Sequence, residues 1–113
     1  PACGDLFFLV DPLDGTKEFI AGKADFTVNI ALVCEGSPVA GVVYAPAMRA
    51  IWAGSRMGGQ SRAAKAACSP DAPAPLFAAM SDIHARTRPD AGLVALVSRS
   101  HSSPRVEEFL AGL

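Results

Sequence analysis

Asp11 and Asp14 stand three residues apart in the stretch FFLVDPLDGTKEFI, residues 7–20, with Pro12 between them and Gly15 and Thr16 directly after. Two carboxylates leaving the end of one strand can converge on a single point. Unpaired, they repel, and one is pushed toward its neutral form. A hard cation removes that conflict: Mg²⁺ takes oxygen ligands, keeps several waters and binds through one or two carboxylates plus substrate phosphate. The Leu13 carbonyl, inside the tight turn, is a plausible further ligand. Gly15 and Thr16 open a helix whose free backbone N–H groups favour an anion, and the glycine lets a phosphate approach the backbone. Adjacent metal and phosphate sites suit metal-assisted hydrolysis of a phosphate ester, with the Thr16 hydroxyl placed to orient the attacking water. The same residues also allow a purely structural turn, in which Asp14 caps the helix and Asp11 is solvated.

Two rival motifs fail on spacing. A calcium EF-hand loop needs its glycine at the sixth position, which would make Val10 the first ligand. The haloacid dehalogenase phosphatases also place aspartates and a Gly-Thr after an apolar strand, but there the aspartates are one residue closer together.

Positioning this loop requires a rigid strand before it. Residues 6–10 are a short continuous apolar run that reads as a strand buried on both faces and ended by Pro12. Residues 16–21 form one or two helical turns stopped by Gly22. Residues 26–33 alternate, with Phe26, Val28, Ile30 and Leu32 on one face, and read as a strand. The turn signal CEGS (34–37) joins it to a second strand over 39–45, giving an antiparallel hairpin ended by Pro46. Residues 50–54, with Trp52, read as a third strand. From 56 to 82 the pattern decays into Gly, Ala, Ser and Pro, which suggests a long loop with Arg56, Arg62 and Lys65 solvated. Residues 83–87 and 93–98 read as further strands, the second buried. Ser102 or Ser103 then caps a helix with Pro104 in its first turn and Val106, Phe109, Leu110 and Leu113 as its apolar stripe.

The chain has 113 residues, is 50% hydrophobic and 19% charged, and carries a formal net charge of −1. That describes a globular chain with no electrostatic case for nucleic acid or anionic lipid as its main partner. No apolar run approaches the roughly 20 residues of a membrane span, and no signal peptide is evident. Cys3, Cys34 and Cys68 are odd in number and lack zinc spacing, so unpaired thiols in a reducing cytoplasm are expected. A first residue other than Met, and an end partway through a helix, suggest a segment of something longer.

The nine residues DPLDGTKEF resemble the metal-binding signature of the inositol monophosphatase superfamily of Mg²⁺-dependent, lithium-sensitive phosphatases. KEF after DGT is more similar to the 3′(2′),5′-bisphosphate nucleotidase branch; inositol monophosphatases more often read DGTTNF. The resemblance continues through FTVNIALV, GVVYAPAM and LVSRSH. It implies an α/β (α+β) layered sandwich of the sugar-phosphatase type, mainly antiparallel in this segment. Residues 1–61 would be the later part of a metal-binding lobe, 62–82 an insertion and 83–113 the start of a second lobe. It implies that Asp11 bridges two metals, that Leu13 ligates through its carbonyl and that Asp14 binds the second metal. It implies too that Gly15 and Thr16 hold phosphate. Ser98 and His101, in SRSH, resemble a Thr-x-x-His pair that contacts adenosine nucleotide. Two or more Mg²⁺ ions and a small nucleotide substrate would follow. The location would be cytoplasmic, with relatives at the cytoplasmic face of the inner membrane. A glutamate from upstream and a Trp-Asp aspartate from downstream, also used by the family, are not in this chain, so little activity is expected of it alone.

Overall fold

The computed structural model describes residues 4–92, 94–97 and 103–112. Six antiparallel strands form one sheet in simple chain order: β1 (Leu6–Asp14), β2 (Thr27–Cys34), β3 (Ser37–Ala45), β4 (Ala50–Met57), β5 (Gln60–Ala67) and β6 (Ser81–Asp82). A short helix α1 (Thr16–Ile20) links β1 to β2, and α2 (Pro104–Ala111) ends the described chain. Between β2 and β5 the connections are of hairpin length, which allows only antiparallel neighbours, and the meander agrees with the expected antiparallel character. No helix among the described residues is long and apolar enough to cross a membrane.

The β2–β3 hairpin closes through Cys34 paired with Ser37. The two loop residues, Glu35 and Gly36, both take positive φ, at 50° and 75°. That is the geometry whose twist matches the flanking strands. The core lies on one face, around Ile51, Ala64, Cys68 and Met80, with Val42, Tyr44, Ala53 and Phe77 packed against it.

Four expectations are corrected. First, β1 is not buried on both faces. It is the edge strand and pairs only with β2, so Phe8 is 70% exposed. Nor does pairing stop at Pro12: it skips residues 12 and 13 and resumes at Asp14, opposite Thr27. Proline lacks the N–H a ladder needs, and the bulge absorbs it.

Second, the loop expected over 56–82 opens on a hairpin, since β4 runs to Met57 and β5 covers Gln60–Ala67. In β5 burial alternates, with Arg62, Ala64 and Ala66 turned inward and Ala64 fully buried. Alanine has little strand preference of its own, but on a half-buried pleat its small side chain lets the covering segment approach. Arg62 is not solvated: it donates to Phe77 O (2.6 Å), Met80 O (2.9 Å) and Asp82 Oδ1 (2.7 Å), and so fastens residues 77–82 to the sheet.

Third, residues 83–87 and 94–97 form no strand; the last ladder ends at Asp82, and Leu96 is almost fully exposed. Ile83 N–H still donates to Ala63 O of β5 at 2.9 Å, but a strand needs a neighbour along its length, and among the described residues no ladder continues beyond that bond. Fourth, Cys34 is disulfide-bonded, while Cys68 is a buried free thiol. The register sets Cys34 opposite Leu6. Cys3, like Leu113 of the expected helix stripe, lies outside the described residues.

Candidate metal and phosphate site

The loop at the end of β1 is organised by three local hydrogen bonds. Leu13 N–H donates to Asp11 Oδ1 at 3.2 Å, an Asx turn across Pro12. Thr16 Oγ1 donates to the Leu13 carbonyl at 3.2 Å. Phe19 N–H donates to the Gly15 carbonyl at 3.0 Å, closing the first turn of α1. The Phe19 ring meets Phe26 edge to face, 5.0 Å between centroids, which ties α1 to the residue before β2. Asp11, Asp14 and Thr16 are exposed at this tip.

The helix N-cap is Gly15, with φ 83° and no side-chain cap bond, so the alternative in which Asp14 caps α1 is not realised. A Cβ on Gly15 would lie 2.6 Å from the Asp25 carbonyl oxygen and 3.2 Å from Phe26 Cα. Glycine is therefore required twice, by its left-handed conformation and by the close pass of the 25–26 backbone. The room that a side chain would need is taken up by protein.

The donors assembled here are all oxygens: the Asp11 and Asp14 carboxylates and the Leu13 carbonyl. A carbonyl has two lone pairs, and Thr16 occupies one of the Leu13 pair. Hard cations select such donors. No cluster of three or more His, Cys, Asp or Glu forms among the described residues, so the loop supplies part of a ligand set.

One neighbour escaped the sequence reading. Asn29 lies directly opposite Asp11 in the β1–β2 ladder, and its Oδ1 is buried without a hydrogen-bond partner. The available signal was an amide inside the otherwise apolar run FTVNIALV, but pairing it with Asp11 needed the register. Both residues border a cavity of about 270 Å³. A larger cavity of about 460 Å³, between the sheet and residues 68–80, is apolar and holds none of the candidate residues. Ser98 and His101 lie outside the described residues.

Comparison with known proteins follows the same lines. A model described as the Inositol monophosphatase family matches residues 2–112. The chain is 39% identical over 108 residues to "3'(2'),5'-bisphosphate nucleotidase CysQ" of Escherichia coli K12, covering 95% of this chain and 37% of that protein. It is 50% identical over 52 residues to an "Inositol-1-monophosphatase" of Mesorhizobium japonicum, covering 46% of this chain and 20% of that protein. Among solved structures it matches CysQ from Bacteroides thetaiotaomicron, a bacterial member of the inositol monophosphatase family. That match has TM-score 0.70 and 32% identity, over 96% of this chain and 41% of that one.

Proposed function

The chain belongs to the inositol monophosphatase family, and from that premise we propose that the protein is a metal-dependent phosphatase that removes the 3′-phosphate of adenosine 3′,5′-bisphosphate, giving AMP and phosphate. Such a reaction would serve sulfate assimilation and nucleotide recycling in the cytoplasm. The observation that carries the reading is the Asp11–Leu13–Thr16 loop, which gathers oxygen donors beside a helix start. The name of the Escherichia coli relative and the KEF after DGT favour the nucleotide substrate.

In this reading Asp11, the Leu13 carbonyl and Asp14 hold Mg²⁺, two or more ions with ligands from beyond this chain. Bound there, the ions would polarise the phosphoryl oxygens and make water a nucleophile near neutral pH. Asp11 Oδ1 is tied to the Leu13 N–H, which fixes the carboxylate before any cation arrives. Gly15 and Thr16 present backbone N–H groups to the phosphate, because the first N–H groups of a helix lack partners within it. Thr16 points its only hydroxyl proton at Leu13, so its oxygen can accept a hydrogen bond from an attacking water and hold that water in line. Ser98 and His101 are assigned to the nucleotide on sequence resemblance. Residues 1–61 are assigned to the metal-binding lobe and 83–113 to the start of the second.

A second reading, an inositol or other sugar phosphate monophosphatase, is favoured by the Mesorhizobium match. A substrate panel on the complete protein, with Mg²⁺ and with added Li⁺, separates the two. The nucleotidase reading expects the highest kcat/KM on adenosine 3′,5′-bisphosphate, inhibition by Li⁺, and a rise in KM for His101→Ala on that substrate larger than on a small phosphate ester. A preference for inositol 1-phosphate, with His101→Ala affecting both substrates equally, would overturn it.

A further inference from the structure

Asn29 carries a polar group that the fold leaves unsatisfied. It sits mid-strand in β2, flanked in sequence by Val28 and Ile30. Its ladder partners are Val43 on β3 and Asp11 on β1. Residues directly opposite in an antiparallel pair project from the same sheet face with Cβ atoms about 5 Å apart. Asn29 and Asp11 accordingly border the same cavity, whose other walls are apolar, with Leu9, Ala31 and Val43 among them. Asn29 Oδ1 is buried and has no donor.

A buried amide oxygen without a donor is costly, and an apolar side chain at this position would avoid the cost. Asp11 cannot relieve it, because an ionised carboxylate only accepts. The missing partner is a donor, and Asp11 borders the cavity it would share. A water coordinated to a cation fits: its oxygen faces the ion and its protons point outward as strong donors, and Mg²⁺ keeps several such waters. Groups that orient the surroundings of a metal in this way tune its affinity.

We propose that Asn29 is a positioning residue for the cation site at Asp11, its Oδ1 accepting a hydrogen bond from a water of the bound cation. The inference rests on the reading of Asp11 as a cation ligand. It adds that affinity for the ion depends on an amide with no place in the ligand set.

The experiment measures Mg²⁺ binding to the complete protein by titration calorimetry, without substrate, alongside the thermal unfolding of the metal-free forms. Asn29→Val and Asn29→Ala remove the acceptor, and Asn29→Asp restores one. The two removals should weaken Mg²⁺ binding about tenfold, leave metal-free Tm equal to or above the parent, and raise KM for Mg²⁺ more than they lower kcat at saturating Mg²⁺. Asn29→Asp should bind Mg²⁺ at least as tightly as the parent. Unchanged Mg²⁺ affinity in Asn29→Val and Asn29→Ala would overturn the proposal, and so would a collapse of both metal-free variants, since that is the behaviour of a structural amide. Asp11→Asn, run in parallel, separates the two levels. If it loses Mg²⁺ while the Asn29 variants do not, only the role of Asn29 fails. If Asp11→Asn itself binds normally, the underlying site assignment fails first.

Discussion

Thr16 and Leu13 are joined by a 3.2 Å hydrogen bond in which the threonine hydroxyl donates and the leucine carbonyl accepts. A hydroxyl has one proton, so this bond fixes the polarity of everything else Thr16 can do: toward a third group it is an acceptor. Thr16→Val keeps the shape and removes that acceptor. Its kcat should fall about a hundredfold with KM little changed. Thr16→Ser, which can make the same bond, should stay within about tenfold of the parent. Steady-state phosphate release from the complete protein measures both. A loss in Thr16→Ser with Thr16→Val unaffected would mean that the γ-methyl, not the hydroxyl, matters.

Asp11 has two separable jobs, a charge and a turn. Oδ1 accepts the Leu13 N–H, and an amide oxygen can do that as well as a carboxylate oxygen. Asp11→Asn should therefore keep the loop and lose the cation. The expectation is unchanged circular dichroism with Mg²⁺-dependent kcat/KM lower by about a thousandfold, the scale of several kcal/mol of metal-based stabilisation. Near-normal turnover in a folded variant would remove Asp11 from the metal site.

What was legible in the sequence was local. The alternation Phe26, Val28, Ile30, Leu32 and the turn at 34–37 specify a hairpin without outside help, and β2 and β3 form there. The bonds of the 11–16 loop span at most three residues, so its carboxylates, glycine and hydroxyl could be placed by spacing. What failed depended on partners distant in the chain. β5 is a strand because β4 pairs with it along its whole length, and its alanines carry almost no signal of their own. Arg62 reads as a solvated cation until residues 77–82 fold back over it. Asn29 gains meaning only from the register that sets it against Asp11. The apolar run of β1 gave the right element and the wrong burial, because an edge strand and a central one can share a sequence.

Gly15 and Gly22 provide a matched pair at the two ends of α1. Both have positive φ, 83° and 67°, but a Cβ on Gly22 would meet nothing within 4 Å, whereas one on Gly15 would strike the Asp25 carbonyl at 2.6 Å. Gly22→Ala should cost about 1 kcal/mol, the price of the left-handed conformation alone. Gly15→Ala should cost about 3 kcal/mol, because backbone must move as well. It should also lose activity, as Asp14 and Thr16 flank it. Urea midpoints and phosphate release on the same samples test this. Equal destabilisation by the two substitutions would show that the 25–26 backbone yields freely.

Arg62 is the residue on which the cover of the core depends. Its guanidinium lies 4.5 Å from the centre of the Phe77 ring while it bonds two backbone carbonyls and Asp82. The Asp82 side chain is 57% exposed, so that ion pair is screened and worth at most about 1 kcal/mol. The carbonyl bonds are part-buried; losing their charged donor removes the side-chain partner of Met80 O, while Phe77 O keeps only the Met80 N–H at 3.2 Å. Arg62→Ala should accordingly destabilise the complete protein by about 2–3 kcal/mol, and Asp82→Ala by well under half of that. Arg62→Lys should recover little, because an ammonium cannot present the planar fork that reaches three acceptors while stacking on Phe77. Urea midpoints for the three variants decide the matter. A cost for Asp82→Ala equal to that of Arg62→Ala would move the weight from the carbonyls to the ion pair.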